Sequence, residues 1–241
     1  MIMKKHLIFC LTAFMITTVT LWFIACKNDN DPVDPNAQVY APTSKPFGKS
    51  YVEWTVDWMT VFATFDCAGN PWLNPAYVLF YQTGPVYFMA GLNTPGASVN
   101  VTVPQDKAIL FPLINYINDY PCPDTSWHPA PGQTLKEFLT PGAVDPMALA
   151  TNMSVTIDGD SISNPAGYLF TTDLFYFTGN PELANVCNFD VCITGNSQAA
   201  VSSGYYMMLK PLSKGTHTVH YHVEVPVWSA IQDGTYHITV N

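Results

Sequence analysis

The sequence predicts a mainly β fold: a single antiparallel β-sandwich or jelly-roll-like domain with an N-terminal helix and a loop-rich helical insertion. Three observations predict it. Short runs of β-branched and aromatic residues recur from Tyr77 to Val240. Proline and glycine punctuate those runs at turn-like intervals. No repeat of fixed period is visible, which disfavours solenoids and propellers, while many short strands with regular turns suit a sandwich or barrel.

In chain order, the first segment stands apart from the fold. Lys4 and Lys5 precede a largely apolar run, Leu7 to Ala25, which ends at Ala25-Cys26 and gives way to Lys27-Asn28-Asp29-Asn30-Asp31. This is the layout of an export signal. A small residue directly before a cysteine resembles a bacterial lipoprotein signal, in which Cys26 is acylated and becomes the new N-terminus. Stable anchoring needs more than one chain, and lipoprotein acylation supplies several. An uncleaved anchor is the alternative, since the apolar run is long enough to span a bilayer. The acidic stretch after Cys26 resembles the surface-export signal of Bacteroidetes lipoproteins. The expected division is therefore signal peptide 1–25, extended tether 26–47 and β-sandwich domain 48–241. The tether reading rests on prolines at 32, 35, 42 and 46 and on charge, which leave little apolar surface to bury.

The domain opens on a helix. Ser50 followed three residues later by Glu53 is a capping-box pattern. Val52, Trp54, Val56, Trp58, Met59, Val61, Phe62 and Phe65 fill most of the following turns, and Glu53, Asp57, Thr60 and Thr64 form a narrow polar stripe at helical spacing. Strands are expected at Tyr77–Gln82, Val86–Ala90, Ser98–Val103 and Ala108–Ile114. Asn115 to Pro146 reads as the insertion, dense in Pro and Gly, with short helices at Thr134–Leu139 and after Asp145. Strands resume at Met153–Ile157, Leu174–Phe177, Tyr205–Leu209, Thr216–Val225 and Thr235–Val240.

Charge narrows the partners. The chain has 9 Lys and Arg against 18 Asp and Glu. Lys4 and Lys5 leave with the signal, so the mature chain carries seven bases against eighteen acids, a net charge of −11. Every base is lysine. An acidic chain without arginine does not fit nucleic acid or heavily anionic polymers. The membrane, through lipid at Cys26, and a neutral glycan or an envelope protein remain as partners. Beyond Cys10 and Cys26 the chain holds Cys67, Cys122, Cys187 and Cys192. An even number in an exported chain reads as disulfides, with three possible connectivities. Cys187–Cys192 as a local staple, with Cys67–Cys122, is the favoured pairing. A four-thiolate zinc site is disfavoured because no CxxC pair is present.

Five motifs carry a resemblance. They are the Trp-rich helix Glu53-Trp54 to Trp58, Gln-x-Gly-x-Val-aromatic-Phe at 82–88, Val-Pro-x-x-Lys-x-x-x-Phe-Pro at 103–112 leading to Asn115, Ile-Asp-Gly at 157–159, and Leu-x-Pro-Leu-x-x-Gly-Thr-His at 209–217. Their order resembles a family of uncharacterised secreted bacterial β-rich proteins. That resemblance implies a fold and a compartment, not an activity. Asn100-Val101-Thr102 stands where the family pattern has an arginine.

Candidate chemistry is sparse. Glu53 and Asp57 lie one helical turn apart, and paired carboxylates beside aromatic residues suit glycoside hydrolysis; capping and the helix dipole explain the same two residues without catalysis. Candidate binding residues are Trp54, Trp58, Trp127 and Trp228, which offer stacking surface, with Gln82 and Asn115 from the motifs. Trp72, Tyr77, Tyr81, Tyr116 and Tyr120 also fall in or beside loops. His220, His222 and Glu224 alternate on one strand face, so His220 and His222 make a candidate metal site with Glu224 or with His237 from the next strand. A solvated polar face explains the same alternation. No cofactor-binding motif is present: GxSxG, P-loop, HExxH and GxGxxG are all absent. Two readings result: a lipid-anchored surface binding module, or a glycan-active hydrolase using the carboxylates or a histidine-bound metal.

Overall fold

The computed structural model describes residues 35–241. The expected export signal and the expected lipid site at Cys26 lie outside the described residues. Eleven strands and three helices follow in chain order. They are α1 (Tyr51–Phe62), β1 (Leu79–Tyr81), β2 (Val86–Met89), β3 (Ala97–Val103), β4 (Ala108–Tyr120), α2 (Leu135–Ala148), β5 (Thr151–Ile157), β6 (Asp160–Ser161), β7 (Leu169–Thr171), β8 (Phe175–Thr178), α3 (Glu182–Asn185), β9 (Ser197–Leu209), β10 (Gly215–Val225) and β11 (Ala230–Val240).

The strands form two sheets, so the fold is a mainly β, sandwich-like one. The first has the order β1-β2-β4-β9-β7, with β8 also paired to β9; the second runs β3-β11-β10-β5-β6. Two pairings, β2 with β4 and β11 with β3, are parallel, where the sequence reading had an all-antiparallel sandwich. The sheets meet face to face at Phe111 of β4, whose ring lies 5.6 Å from Tyr236 and 6.3 Å from Tyr221.

The helix α1 covers the other face of the first sheet. Trp58 packs edge-on against Tyr206 of β9, 5.8 Å between centroids. The central strands β4 and β9 are thus sandwiched between a helix and a sheet, which is why residues 108–114 of the one and 205–209 of the other read as unbroken apolar runs. The second sheet has one wet face, and β10 alternates: Val219, Tyr221, Val223 and Val225 are buried between partly exposed histidines. The cap predicted for α1 is present, with Ser50 accepting from the Glu53 amide and Glu53 accepting from the Ser50 amide.

Three expectations change. The β4 strand runs on to Tyr120, well into the segment assigned to a loop-rich insertion. The two short helices there are one, α2, which passes through Pro141 and Pro146. Packing outweighs the lost backbone bonds: Leu139 and Ala143 are buried against Ala199 and Val201, and Asn118 of β4 donates to the Leu139 carbonyl at 2.7 Å. The chain also joins the domain before residue 48. Val39 bridges Leu209, Tyr40 donates its amide to the Met208 carbonyl at 3.0 Å, and Tyr51 donates its hydroxyl to the Tyr40 carbonyl at 2.9 Å.

The disulfides pair differently from the favoured connectivity. They are Cys67–Cys187 and Cys122–Cys192, with Cα separations of 5.8 and 4.2 Å. Cys187 and Cys192 bound one loop and each is tied outward, Cys187 to the segment after α1 and Cys192 to the end of β4. Short sequence spacing favours a local staple only where the loop folds back on itself. Here helix α3 and its Leu183 anchor hold Cys187 away, with Leu183 fully buried and its carbonyl taken by the Phe189 amide at 2.7 Å. Two disulfides among the described residues fit an oxidising, extracellular or envelope setting. Among the described residues no helix is long and apolar enough to cross a membrane.

Candidate functional site: an aromatic cavity on the open edge of a strand

The site begins where β2 leaves β4. Their parallel pairing ends at Phe88 and Leu110. Side chains then take the backbone groups that a longer ladder would have used. The Trp58 indole donates to the Met89 carbonyl at 2.9 Å, the Tyr236 hydroxyl donates to the Ala90 carbonyl at 2.7 Å, and the Tyr221 hydroxyl accepts from the Leu92 amide at 2.8 Å. These three bonds carry the chain away toward the second sheet. Beyond Leu110, β4 is paired only on its β9 side among the described residues.

Two cavities follow that open edge. The larger is about 580 Å³ and is walled by Trp58, Met59 and Phe62 of α1, by Trp72 and Trp127, and by Phe189 to Cys192. Asn115, Ile117 and Asp119 of β4 form its floor. The smaller, about 270 Å³, adjoins it across Trp72, Asn115 and Tyr116 and ends at Trp228 and Gln232. Tyr116 and Trp228 sit 5.0 Å apart, centroid to centroid. Gly204 makes the floor possible, since a Cβ there would stand 2.6 Å from Asn115 Cβ and 2.7 Å from the Ile114 carbonyl oxygen.

At the inner end, two carboxylates meet. Asp119 is only 3% exposed. Its Oδ2 accepts from the Gln198 side-chain amide, and its backbone carbonyl accepts from the Trp127 indole at 3.1 Å. Asp190 comes from the disulfide-bounded loop, its Oδ1 accepting from the Cys192 amide at 3.0 Å. Ligand atoms of Asp119, Asp190 and Cys192 all lie within 4.8 Å of one another. The Cys192 sulfur is in a disulfide and has no thiolate to offer a metal, so the chemistry here belongs to the two acids. Gln198, itself 1% exposed, organises them: its carbonyl accepts from Thr194 N at 2.9 Å, and its amide also donates to Cys192 O at 3.0 Å.

Burial, then the neighbouring Asp190 charge, raises the Asp119 carboxyl well above the usual range; the Gln198 bond opposes this. Asp190 is raised as well, chiefly by burial. No lysine or histidine lines the cavity, whereas a third acid, Asp124, does. The pair thus holds a proton near neutrality instead of two full charges.

The residues singled out from sequence scatter around this site. Trp58, Asn115 and Trp127 line the larger cavity, and Asn115 and Trp228 the smaller. Trp54 is buried, its indole donating to the Pro46 carbonyl at 3.0 Å. Gln82 is exposed and bonds the Leu79 carbonyl within its own turn. Glu53 is the helix cap, its carboxyl held below the ordinary range by the Ser50 amide and hydroxyl. Asp57 pairs with Lys49 and lines a separate cavity of about 380 Å³ with Lys49 and Trp54. The two carboxylates of that helical stripe are thus engaged in different bonds.

On the wet face of the second sheet, the register places Thr218 opposite His237 and His222 opposite Asp233. His237 therefore shares a face with His220 and His222. A carboxylate bridges the latter two: Asp233 lies 2.8 Å from His222 Nδ1 and 3.4 Å from His220 Nε2, and Glu224 lies 3.3 Å from His222 Nε2. His237 reaches only the Thr218 hydroxyl, at 3.5 Å. Asp233, then Glu224, raises His222.

The acids Asp119 and Asp190 escaped the sequence reading. Each stands close before a cysteine, Asp119 three residues ahead of Cys122 and Asp190 two ahead of Cys192. The correct disulfide pairing would have brought them together.

No protein family matches the chain, and no curated protein matches it. Among solved structures, the "Solution Structure of Amebosin" is similar at a TM-score of 0.22 and 9% identity, covering 66% of this chain and 100% of that one. A likeness at that level carries no argument about fold or function.

Proposed function

We propose that this is an exported, lipid-anchored envelope protein that binds a glycan in the aromatic cavity beside β4. One observation carries the reading. Trp58, Trp72, Trp127 and Phe189 line one cavity with Asn115 and Asp119, so aromatic side chains and a few polar groups share its wall. Sugar rings present just that combination, an apolar C–H face and a rim of hydroxyls, and concave sites of several hundred Å³ with few placed polar groups are the common form of small-ligand sites. Continuation to Trp228 gives room for more than one ring. Lipid attachment at Cys26 and display at the cell surface complete the proposal, supported by the signal layout and by the disulfides.

The test is titration of the purified protein against an oligosaccharide panel. Trp72→Ala and Trp127→Phe are then compared for the hits, the latter keeping an aromatic face while removing the indole donor. A loss of about tenfold or more in Trp72→Ala supports stacking at this cavity. Unchanged affinity in both variants moves the site elsewhere.

A second reading is a glycan hydrolase, for which the Asp119 and Asp190 pair is a better placed acid couple than Glu53 and Asp57. Their approach within 4.8 Å is close to the spacing of roughly 5–5.5 Å used in retaining hydrolysis. Product release from bound oligosaccharides, abolished in Asp190→Asn with binding intact, would establish it. Binding without turnover leaves the first reading.

A further inference from the structure

The cavity lacks one thing its chemistry calls for. Asp119 is a deeply buried acid facing a second acid, yet among the described residues no lysine or histidine pairs with either. Four of the described lysines are engaged elsewhere, Lys49 with Asp57, Lys107 with Asp106, Lys136 with Asp173 and Lys210 over the Tyr40 ring, and neither Lys45 nor Lys214 lines the cavity. Asp119 Oδ2 is taken by Gln198, while among the described residues no donor from another residue reaches Oδ1. A buried carboxylate with neither cation nor full hydrogen bonding is costly. Trp58, Trp72, Trp127 and Tyr116 line the same cavity. Aromatic faces carry negative charge at their centres and attract cations, most strongly where water is excluded.

We propose that the group seated against Asp119 and Asp190 is a cation carried by the ligand: a protonated amine on the sugar ring, so that the glycan is an amino sugar with its nitrogen free. The inference rests on the cavity being the glycan site. A neutral ring would satisfy Asp119 Oδ1 with a hydroxyl but would leave the two acids sharing their proton. A protonated amine lets both ionise, by replacing the shared proton with a fixed positive charge between them. An N-acetylated ring cannot do this, having an amide in place of the ammonium. The groups beside the pair are Asp124 and Tyr116 in the cavity lining and the Gln198 amide on Asp119; none brings positive charge. Binding therefore releases a proton from the acid pair, which a neutral ligand would not displace.

The experiment is calorimetry on the full-length protein in detergent, at about pH 6, where the sugar amine arrives already protonated, in two buffers of different ionisation enthalpy. Three oligosaccharides of equal length are compared: glucosamine, N-acetylglucosamine and glucose. Spermidine is the sugar-free amine. The expected result is that the glucosamine oligomer binds at least about tenfold tighter than the other two, with proton release visible as a buffer-dependent enthalpy. The preference should disappear in an Asp119→Asn/Asp190→Asn variant that keeps the wild-type circular dichroism. The proton count on the wild-type protein needs no variant. Equal affinity for the three sugars, or binding without proton release, overturns the amine inference and leaves glycan binding standing. Binding of spermidine without any sugar upholds the cation and overturns the glycan reading. Binding of none of the four overturns both.

Discussion

The carboxylates of Asp119 and Asp190 lie within 4.8 Å of each other, although one is carried by a strand and the other by a loop. The Cys122–Cys192 disulfide joins the end of that strand to the end of that loop. The pair is therefore made by a covalent link, and Gln198 locks its geometry. Its energetics should be visible without any ligand.

Asp119 is raised in the folded protein to about 8, by burial first and by Asp190 second. An acid raised on folding binds its proton more tightly in the native state, so stability falls as pH climbs from the unfolded value near 3.9 through the folded one. Asp119→Asn should stabilise the protein by about 1–3 kcal/mol at pH 8 and by little at pH 4. Denaturant melts at the two pH values check this. A destabilisation at pH 8 would mean that the ionised acid is favoured in the fold.

Removing Cys122–Cys192 by a double serine substitution should cost about 2–5 kcal/mol, and so should removing Cys67–Cys187. Function should separate them. Cys122 and Cys192 line the cavity, whereas Cys67 and Cys187 do not. Loss of the first pair should abolish ligand affinity at temperatures where the variant is still folded, and loss of the second should reduce it less. Binding measured beside thermal melts tests this.

Ser50→Ala should cost about 1 kcal/mol, the ordinary value of an N-cap. Glu53→Gln keeps a side-chain acceptor for the Ser50 amide, so it should cost less and leave any activity unchanged. Turnover or binding that falls in Glu53→Gln with no loss of stability would return that residue to the functional site.

His222 is raised by Asp233 and Glu224, and Asp233 is lowered, first by its bond to His222. The histidine's contribution is full below about pH 6.5 and is lost as pH rises through its folded value; the aspartate's is full above about pH 3.9 and is lost as pH falls through its own. The cluster should stabilise most between those limits, by less than about 1 kcal/mol because it is solvated. His222→Gln should flatten the melting-temperature profile between pH 6 and 8.

The elements that came cleanly from sequence are those whose signal is local. The Ser50–Glu53 cap and the aromatic run behind it specify α1 within one segment, and the alternation of Val219 to Val225 specifies β10. The elements that did not are decided by partners far along the chain. Pro141 and Pro146 announce breaks, yet Leu139 and Ala143 find a bed on Ala199 and Val201 that outweighs them. Asn115 to Tyr120 is polar enough to pass for a loop, and becomes a strand because β9 runs alongside it. The site was half legible for the same reason. Its tryptophans stand out by type, whereas Asp119 and Asp190 acquire meaning only from a disulfide pairing that spacing alone misassigns.

The two disulfides also overlap in the chain, Cys122 lying between Cys67 and Cys187, and Cys187 between Cys122 and Cys192. A single proteolytic cut anywhere from Cys67 to Cys192 therefore leaves the two fragments covalently joined. The exposed loop at Phe189 and Val191 can thus be nicked by a protease without shedding the β9–β11 half of the domain, and damage there would show on a gel only after reduction.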